Sequence, residues 1–266
     1  MAQAPVAIVT GASRGIGKQT CRRLAERGFR LALAARTEAP RAGTPGTLGE
    51  TLDELKALGA EAIGIRADMA IQEDLDRLVA QTLDRFGRVD ALVNNAAYTV
   101  GRTLFTHVPD LSRDQWDKHF AVNVTAPLML IQGCWRAMVA QGGGVIINMT
   151  SGSSYPRELD RQGSPEGIPE NGPAYGSSKA AINQMSNLIA GEGAPHRIAV
   201  VALDPGLVLT ETMELTLGPE RTARSPAIST DIPASVIAYL CSAPDAMAYS
   251  GKIVKAPELH ARLGLG

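Results

Sequence analysis

Short apolar runs rich in Val, Ile, Leu and Ala recur along the chain, and stretches of helical period separate them. Val6–Thr10, Leu31–Arg36, Ala62–Arg66, Ala91–Asn94, Val145–Met149 and Ile198–Leu203 read as strands. These runs are apolar throughout, not at alternate positions. That pattern suits strands covered on both faces, as in a parallel sheet. Gly17–Arg27, Leu48–Leu58, Glu73–Phe86, Gln115–Ala140 and Ser177–Gly191 read as helices. The alternation predicts an α/β fold, a doubly wound parallel sheet in three α/β/α layers. With no internal repeat or low-complexity linker, residues 1–266 read as a single domain.

Three stretches break the rhythm. Glu38–Gly46 is rich in proline and glycine, and Tyr155–Pro173 is long, polar and punctuated by prolines. Glu214–Ser229 reads as partly helical, within a substrate lid at about 207–230. Long loops in compact domains are often lids or binding loops, and the plainer reading is a tolerated surface insertion. The insertions are therefore placed at 38–47 and 155–173.

Composition narrows the class. The 266 residues carry 26 basic and 27 acidic side chains, with a formal net charge of −1. That balance argues against a nucleic-acid or membrane-surface binder. No apolar run approaches the roughly 18 residues of a membrane span. The opening MAQAPVAIVTGAS lacks a basic region followed by an apolar one, so no secretory signal is expected. Cys21, Cys134 and Cys241 lie far apart and read as reduced thiols of a cytoplasmic protein. The four histidines lack ligand spacing, so no metal is expected.

The first strand runs into Gly11-Ala12-Ser13-Arg14-Gly15-Ile16-Gly17 and then a helix. This order suits a pyrophosphate: glycines let the backbone approach, and unpaired helix N–H groups point at the anion. Arg36 ends the second strand, where an acid would bind the ribose hydroxyls of NAD and an arginine would accommodate the 2′-phosphate of NADP. Arg14 adds a second phosphate partner. The cofactor read from these residues is NADP(H), with NAD(H) as the alternative.

Tyr175-Gly176-Ser177-Ser178-Lys179 opens a helical segment. Positions i and i+4 share a helix face, so the phenol and the ammonium can reach one site. A nearby cation favours phenolate and would lower the tyrosine pKa toward that of a general acid–base. Further motifs occur in order: Thr10-Gly11-x-x-x-Gly15-x-Gly17, Asn94-Asn95-Ala96-Ala97, Asn123, Ser151, Tyr175/Lys179 and Asp204-Pro205-Gly206. The series resembles the short-chain dehydrogenase/reductase family, from the first strand to about Val254.

That resemblance implies a Rossmann-type fold and hydride transfer between an alcohol and a carbonyl. It implies Tyr175 as proton donor and acceptor, and Lys179 as holder of the nicotinamide ribose that lowers the Tyr175 pKa. Ser151 would bind the substrate oxygen, and Asn123 would hold a water in a relay with Lys179. Gly11, Ser13, Arg14, Gly15, Ile16 and Gly17 would form the cofactor turn, with Arg36 at the adenosine ribose. Asp68 and Met69 would meet the adenine, and Asn95 and Ala96 would pass beside the adenosine, next to Asn94. Pro205, Gly206, Val208 and Thr210 would lie near the carboxamide or pyrophosphate.

Plainer readings remain beside these. Ser153 or Ser154 could take the role of Ser151, Asn123 could cap or kink a helix, and Asp204 could form an Asx turn. Ala97 stands where the family often has glycine, and the Ser151-to-Tyr175 interval is about twice the usual length. Pro45-Gly46-Thr47-Leu48 and the segment from Ser250 to Leu259 are also similar to the hydroxysteroid dehydrogenase-like protein 2 group.

The expected substrate is a small alcohol or carbonyl compound. Tyr98, Val100, Ser153, Tyr155 and Leu207 would line its site, and Met213 and Leu215 would begin the lid. Arg157, Asp160 and Arg161 could instead meet a polar substrate. An NAD-dependent dehydrogenase and a non-catalytic dinucleotide-binding scaffold are the rival functions. Small and apolar residues on two long segments (Ala126, Leu130 and Ala137; Ala181, Met185 and Leu188) suggest a homodimer or homotetramer, or burial within one subunit.

Overall fold

A computed structural model describes residues 3–37, 45–99, 104–156, 171–217 and 227–265, with side chains through 214 in the fourth stretch. Seven parallel strands form one sheet in the order β3-β2-β1-β4-β5-β6-β7. They are β1 Val6–Thr10, β2 Arg30–Ala35, β3 Ala62–Arg66, β4 Ala91–Asn94, β5 Gly144–Met149, β6 Ile198–Asp204 and β7 Ile253–Lys255. The six strands read from the sequence are present, with ends shifted by one residue at most. The seventh has only three residues, too few to give a pattern.

Helices cover both faces. They are α1 Gly15–Ala25, α2 Leu48–Ala57, α3 Gln72–Phe86, α4 Arg113–Phe120, α5 Ala126–Ala140, α6 Pro173–Gly193, α7 Glu211–Leu217, α8 Asp231–Ser242 and α9 Ala256–Leu263. Successive strand residues feed opposite cores. Ala7 and Val9 pack with Cys21, Leu24, Leu55 and Val236 from α1, α2 and α8. Val6 and Ile8 pack with Leu78, Leu130, Cys134 and Ile189 from α3, α5 and α6. With both cores dry, every position of β1 is buried, which is why the run reads as apolar throughout.

Two expectations change. Gln115–Ala140 is not one helix. It breaks at a π-type turn over Ala121–Thr125, closed by a bond from Ala126 N–H to the Ala121 carbonyl. Pro127 has no N–H to give the Asn123 carbonyl four residues back, and Val122, Val124 and Thr125 are β-branched. The Tyr175 helix starts at Pro173, four residues before the expected Ser177; proline is pre-organised for the first helical turn.

Residues 38–44 and 157–170, which hold most of the two expected insertions, lie outside the described residues, as do Val100, Arg157, Asp160, Arg161 and positions 218–226 of the expected lid. No helix among the described residues is long and apolar enough to cross a membrane. No metal-binding cluster occurs among them. The three cysteines are buried free thiols.

Candidate active site

The strand order reverses between β1 and β4, and the carboxyl ends of the strands there frame a crevice suited to a ligand. Gly11 and Gly17 set the shape of its cofactor side. Gly11 has φ +68°, in the left-handed region. A Cβ on Gly17 would lie 2.2 Å from the Gly11 carbonyl oxygen and 2.5 Å from Asn95 Nδ2. Only hydrogen fits there.

The turn is held from behind. Asn95 Nδ2 donates to the Thr10 carbonyl at 2.9 Å, and Thr51 Oγ1 donates to the Ala12 carbonyl at 3.0 Å. Thr10 Oγ1 accepts from the N–H groups of Asn95 and Ala96, both at 3.0 Å. Helix α1 has no side-chain cap on its N-terminal N–H groups and no acid in its first turn. Glycine cradle and uncapped helix end together fit a dinucleotide pyrophosphate.

The two arginines stand at the end of the crevice where the sequence expects the adenosine. Arg14 donates to Ser13 Oγ at 3.4 Å and to Thr37 Oγ1 at 3.3 Å. Burial holds its guanidinium below the ordinary pKa; Glu211 opposes this and the Arg36 charge adds to it. Arg36 Nη1 lies 3.9 Å from Asp68 Oδ2. Asp68 Oδ1 accepts from Ala70 N–H, so Asp68 stands at the expected edge, engaged by its own loop. The Met69 side chain packs into the core. Thr210 lies against Gly15, whose Cβ would meet Thr210 Cγ2 at 3.1 Å. Val208 is buried and pairs with Ile228 beyond the Gly206 turn.

On the other side of the crevice, Ser151 follows β5, Tyr175 and Lys179 stand on the first turns of α6, and Asn123 sits in the π-type turn. The Ser151 hydroxyl faces Tyr175 and favours the phenolate. Burial outweighs that effect and, with the Asp204 charge, raises the Tyr175 pKa. The lowering expected from Lys179 is therefore corrected. Lys179 is 2% exposed, and its Nζ donates to the Met149 carbonyl at 2.8 Å while lying 5.7 Å from the Tyr175 ring centroid. Burial brings the lysine down to about 8.

Ser153 and Ser154 have other partners. Ser153 Oγ accepts from Asn171 Nδ2, and Ser154 Oγ donates to the Ser151 carbonyl at 2.6 Å. Asn123 Oδ1 accepts from Tyr98 N–H at 2.8 Å, and its Nδ2 donates to Ser178 Oγ at 3.0 Å. Ser178 Oγ in turn donates to the Tyr175 carbonyl at 2.7 Å. The kink thus ties the β4 loop to the helix that carries the tyrosine.

His119 escaped the sequence reading, and two residues of its motifs, Thr10 and Asp204, make contacts it did not give. Thr10 anchors the asparagine loop through its hydroxyl. His119 is fully buried, with its ring 6.0 Å from the Tyr175 ring and 5.0 Å from the Tyr98 ring. Asp204 does form an Asx turn, accepting from Gly206 N–H at 3.0 Å, and Gly152 lies beside its carboxylate. The placement of Asp204 immediately before Pro205-Gly206 was the available signal. Nothing in the sequence pairs it with Gly152.

A cavity of about 480 Å³ opens beside the start of α6, lined by His107, Ser153, Tyr155, Asn171, Pro173 and Ser177 among others. Ser153 and Tyr155 are among the residues the sequence reading places along the substrate site, and His107, Asn171 and Ser177 add polar groups to this wall.

A family profile for short chain dehydrogenases matches residues 5–217. An uncharacterized oxidoreductase of Thermotoga maritima is 34% identical over 209 residues, covering 79% of this chain and 74% of its own. A 7 alpha-hydroxysteroid dehydrogenase complexed with NADH and 7-oxo glycochenodeoxycholic acid superposes with a TM-score of 0.79 at 25% identity, covering 95% of this chain and 92% of its own. An actinorhodin polyketide ketoreductase variant with NADPH gives a TM-score of 0.77 at 27% identity, with 96% and 97% covered. Glycine turn, asparagine loop, serine, tyrosine and lysine meet at the switch point of a sheet these proteins share, and the chain belongs to the short-chain dehydrogenase family of NAD(P)-binding oxidoreductases.

Proposed function

We propose that the chain is an NADP(H)-dependent oxidoreductase that interconverts a secondary alcohol and a ketone or aldehyde, with Tyr175 as general acid–base. The observation that carries this reading is the buried Lys179, whose Nζ lies 5.7 Å from the Tyr175 ring centroid at the switch-point crevice, with Ser151 facing the phenol. A bound nicotinamide dinucleotide supplies or accepts the hydride. During reduction, Tyr175 Oη gives its proton to the substrate oxygen, and Ser151 Oγ donates a hydrogen bond to that oxygen as its charge develops. In the other direction, the phenolate takes the alcohol proton. Lys179 has a pKa near 8 and is suited to return a proton to Tyr175 near neutral pH. Asn123, fixed at the kink, is the residue to hold a water on that path.

The preference for NADP(H) is supported by Arg14 and Arg36, two cations that converge where a 2′-phosphate would lie. NAD(H) is the second reading, favoured by the approach of Arg36 to Asp68. Leu128 and Leu188, 39% and 60% exposed on α5 and α6, support a homodimer or homotetramer. Ala126 and Leu130 do not share that role, since they pack beneath α5 in the core. We also assign the chain, as a single domain, to the cytoplasm on its three reduced cysteines. The deciding experiment is Tyr175→Phe assayed against a panel of carbonyl compounds. Turnover is expected to disappear while fluorescence titration still shows NADPH binding. Undiminished turnover would sink the assignment, and tight cofactor binding by the unaltered chain with no turnover across the panel would favour a scaffold.

A further inference from the structure

Helix α4 is short and anchored at both ends. At its start Ser112 and Gln115 form a capping box: Ser112 Oγ accepts from Gln115 N–H at 3.2 Å, and Gln115 Oε1 accepts from Ser112 N–H at 3.1 Å. At its end the chain passes directly into the π-type turn, which Asn123 ties to the β4 loop and to α6. His119 stands next to last in α4 and is fully buried.

The imidazole meets two tyrosines of the crevice. Its centroid lies 5.0 Å from that of the Tyr98 ring, at an interplanar angle of 90°, and 6.0 Å from that of the Tyr175 ring, at 72°. These are edge-to-face contacts. Asn123, four residues on, reaches the same two residues at their main chain. Its Oδ1 accepts from Tyr98 N–H at 2.8 Å, and its Nδ2 donates to Ser178 Oγ, which donates to the Tyr175 carbonyl at 2.7 Å. Each tyrosine is thus held at its backbone from Asn123 and at its ring from His119.

The ring contact has its own task. A bond to the Tyr175 carbonyl leaves the first side-chain torsion free, and that torsion swings the phenol oxygen through an arc. Lys179 Nζ lies over the ring, 5.7 Å from its centroid, but Lys179 belongs to the same helix and moves with it. His119 comes from another element, so its contact sets the angle of the phenol against the β4 loop and the crevice. Proton transfer is sensitive to that angle, because displacing a reacting group by about 1 Å can cost about 10²-fold in rate.

We propose that His119 is a positioning residue for the reaction: its ring packs edge-on against Tyr98 and Tyr175 and holds the phenol at the angle from which it reaches the substrate oxygen. The ring supplies this, not a proton carried by its nitrogens. This rests on Tyr175 being the acid–base group.

Two substitutions separate the ring from its nitrogens. His119→Phe keeps a flat ring, and His119→Gln keeps a polar group of similar volume without a ring. Each is compared with the unaltered chain for kcat and KM of carbonyl reduction and for the NADPH dissociation constant by fluorescence titration. His119→Gln is expected to lower kcat about tenfold or more, while KM and the dissociation constant change less than about threefold. His119→Phe is expected to bring kcat back to within about threefold of the unaltered chain, because a ring edge is restored. Three outcomes overturn the proposal: kcat unchanged in His119→Gln, equal losses of kcat in both variants, or a matching loss of NADPH affinity in His119→Gln, the mark of a general loosening. Should His119→Gln fail to fold, His119→Leu takes its place. Should His119→Phe fail to fold, the pH profile of kcat in the ringless variant decides: lowered by one factor at every pH it supports the ring, and with a limb lost it overturns the proposal. Turnover retained by Tyr175→Phe defeats the acid–base reading and the proposal with it. Turnover lost in Tyr175→Phe with kcat unchanged in His119→Gln defeats the proposal alone.

Discussion

The two halves of the crevice are built from different materials. The proposed cofactor side is mostly backbone, a glycine turn and an uncapped helix end, joined by two arginines, of which Arg36 has a side chain 58% exposed. The catalytic side is buried side chains: Lys179, Asn123, Ser178 and Asp204 are all 6% exposed or less. A backbone cradle in contact with water can bind an anion without paying for buried charge. A site that must move a proton needs groups whose pKa values stand away from their solution values, and burial supplies that. Changes on the first side should therefore act on affinity, and changes on the second on turnover and pH dependence.

The largest effect should come from Tyr175. Tyr175→Phe is expected to lower kcat by about 10³-fold or more with the NADPH dissociation constant nearly unchanged, as single-turnover kinetics and fluorescence titration would show. A loss of binding instead would erase the contrast between the halves. Next comes Gly17→Ala, whose Cβ would meet the Gly11 carbonyl oxygen at 2.2 Å. The Gly11 carbonyl is backbone and the next atom, Asn95 Nδ2 at 2.5 Å, holds the same turn, so relief requires the turn to move, at about 1–3 kcal/mol. Calorimetry should show weakened NADPH binding, with a lower melting temperature for the cofactor-free chain.

Arg36→Ala sharpens the comparison on the affinity side. Losing a charge-assisted contact of about 1.5–3 kcal/mol should weaken NADPH by at least about tenfold and leave NADH nearly unaffected. The NADPH affinity of the unaltered chain should also fall with added salt, because the arginine is exposed. Equal losses for both cofactors would favour the NAD(H) reading.

The smallest effect is on stability. The folded-state pKa of Lys179, about 8, lies below its ordinary value of 10.5, so above pH 8 the unfolded chain holds the extra proton. This residue's contribution to stability must then rise from about pH 8 toward 10 and be least favourable below 8. Lys179→Met should remove that rise, visible as a flatter pH dependence of denaturant midpoints relative to the unaltered chain. It should also lose turnover, since the stabilising change removes a working group.

The sequence was most legible where one element carried the meaning. Six strands could be read because cores on both faces of the sheet leave few polar positions in them. The glycine turn could be read because its glycines follow a strand and open a helix. Tyr175 and Lys179 could be paired because four residues on a helix share a face. Legibility fell where the meaning lay between elements. The break at Ala121–Thr125 follows from the missing N–H of Pro127, yet the long apolar segment around it read as one helix. His119 carried no local signal, because only the packing of α4 brings its ring to Tyr175. Ser151, Ser153 and Ser154 share one turn, and the bonds that tie Ser153 to Asn171 and Ser154 to the Ser151 carbonyl carry no signal in the sequence.

By itself the sequence determined the layered α/β architecture, the glycine turn between the first strand and helix, and the tyrosine–lysine pair. These depend on continuous apolar runs, on the helical period of 3.6 and on backbone freedoms that residue types impose directly. The tertiary structure alone decided the ionisation of the site. Spacing on a helix suggested that Lys179 lowers the Tyr175 pKa, whereas the folded chain turns the ammonium to the Met149 carbonyl and brings Asp204 up from another strand. The balance of desolvation against neighbouring charge is a sum over groups distant in sequence, and it exists only once the fold has brought them together.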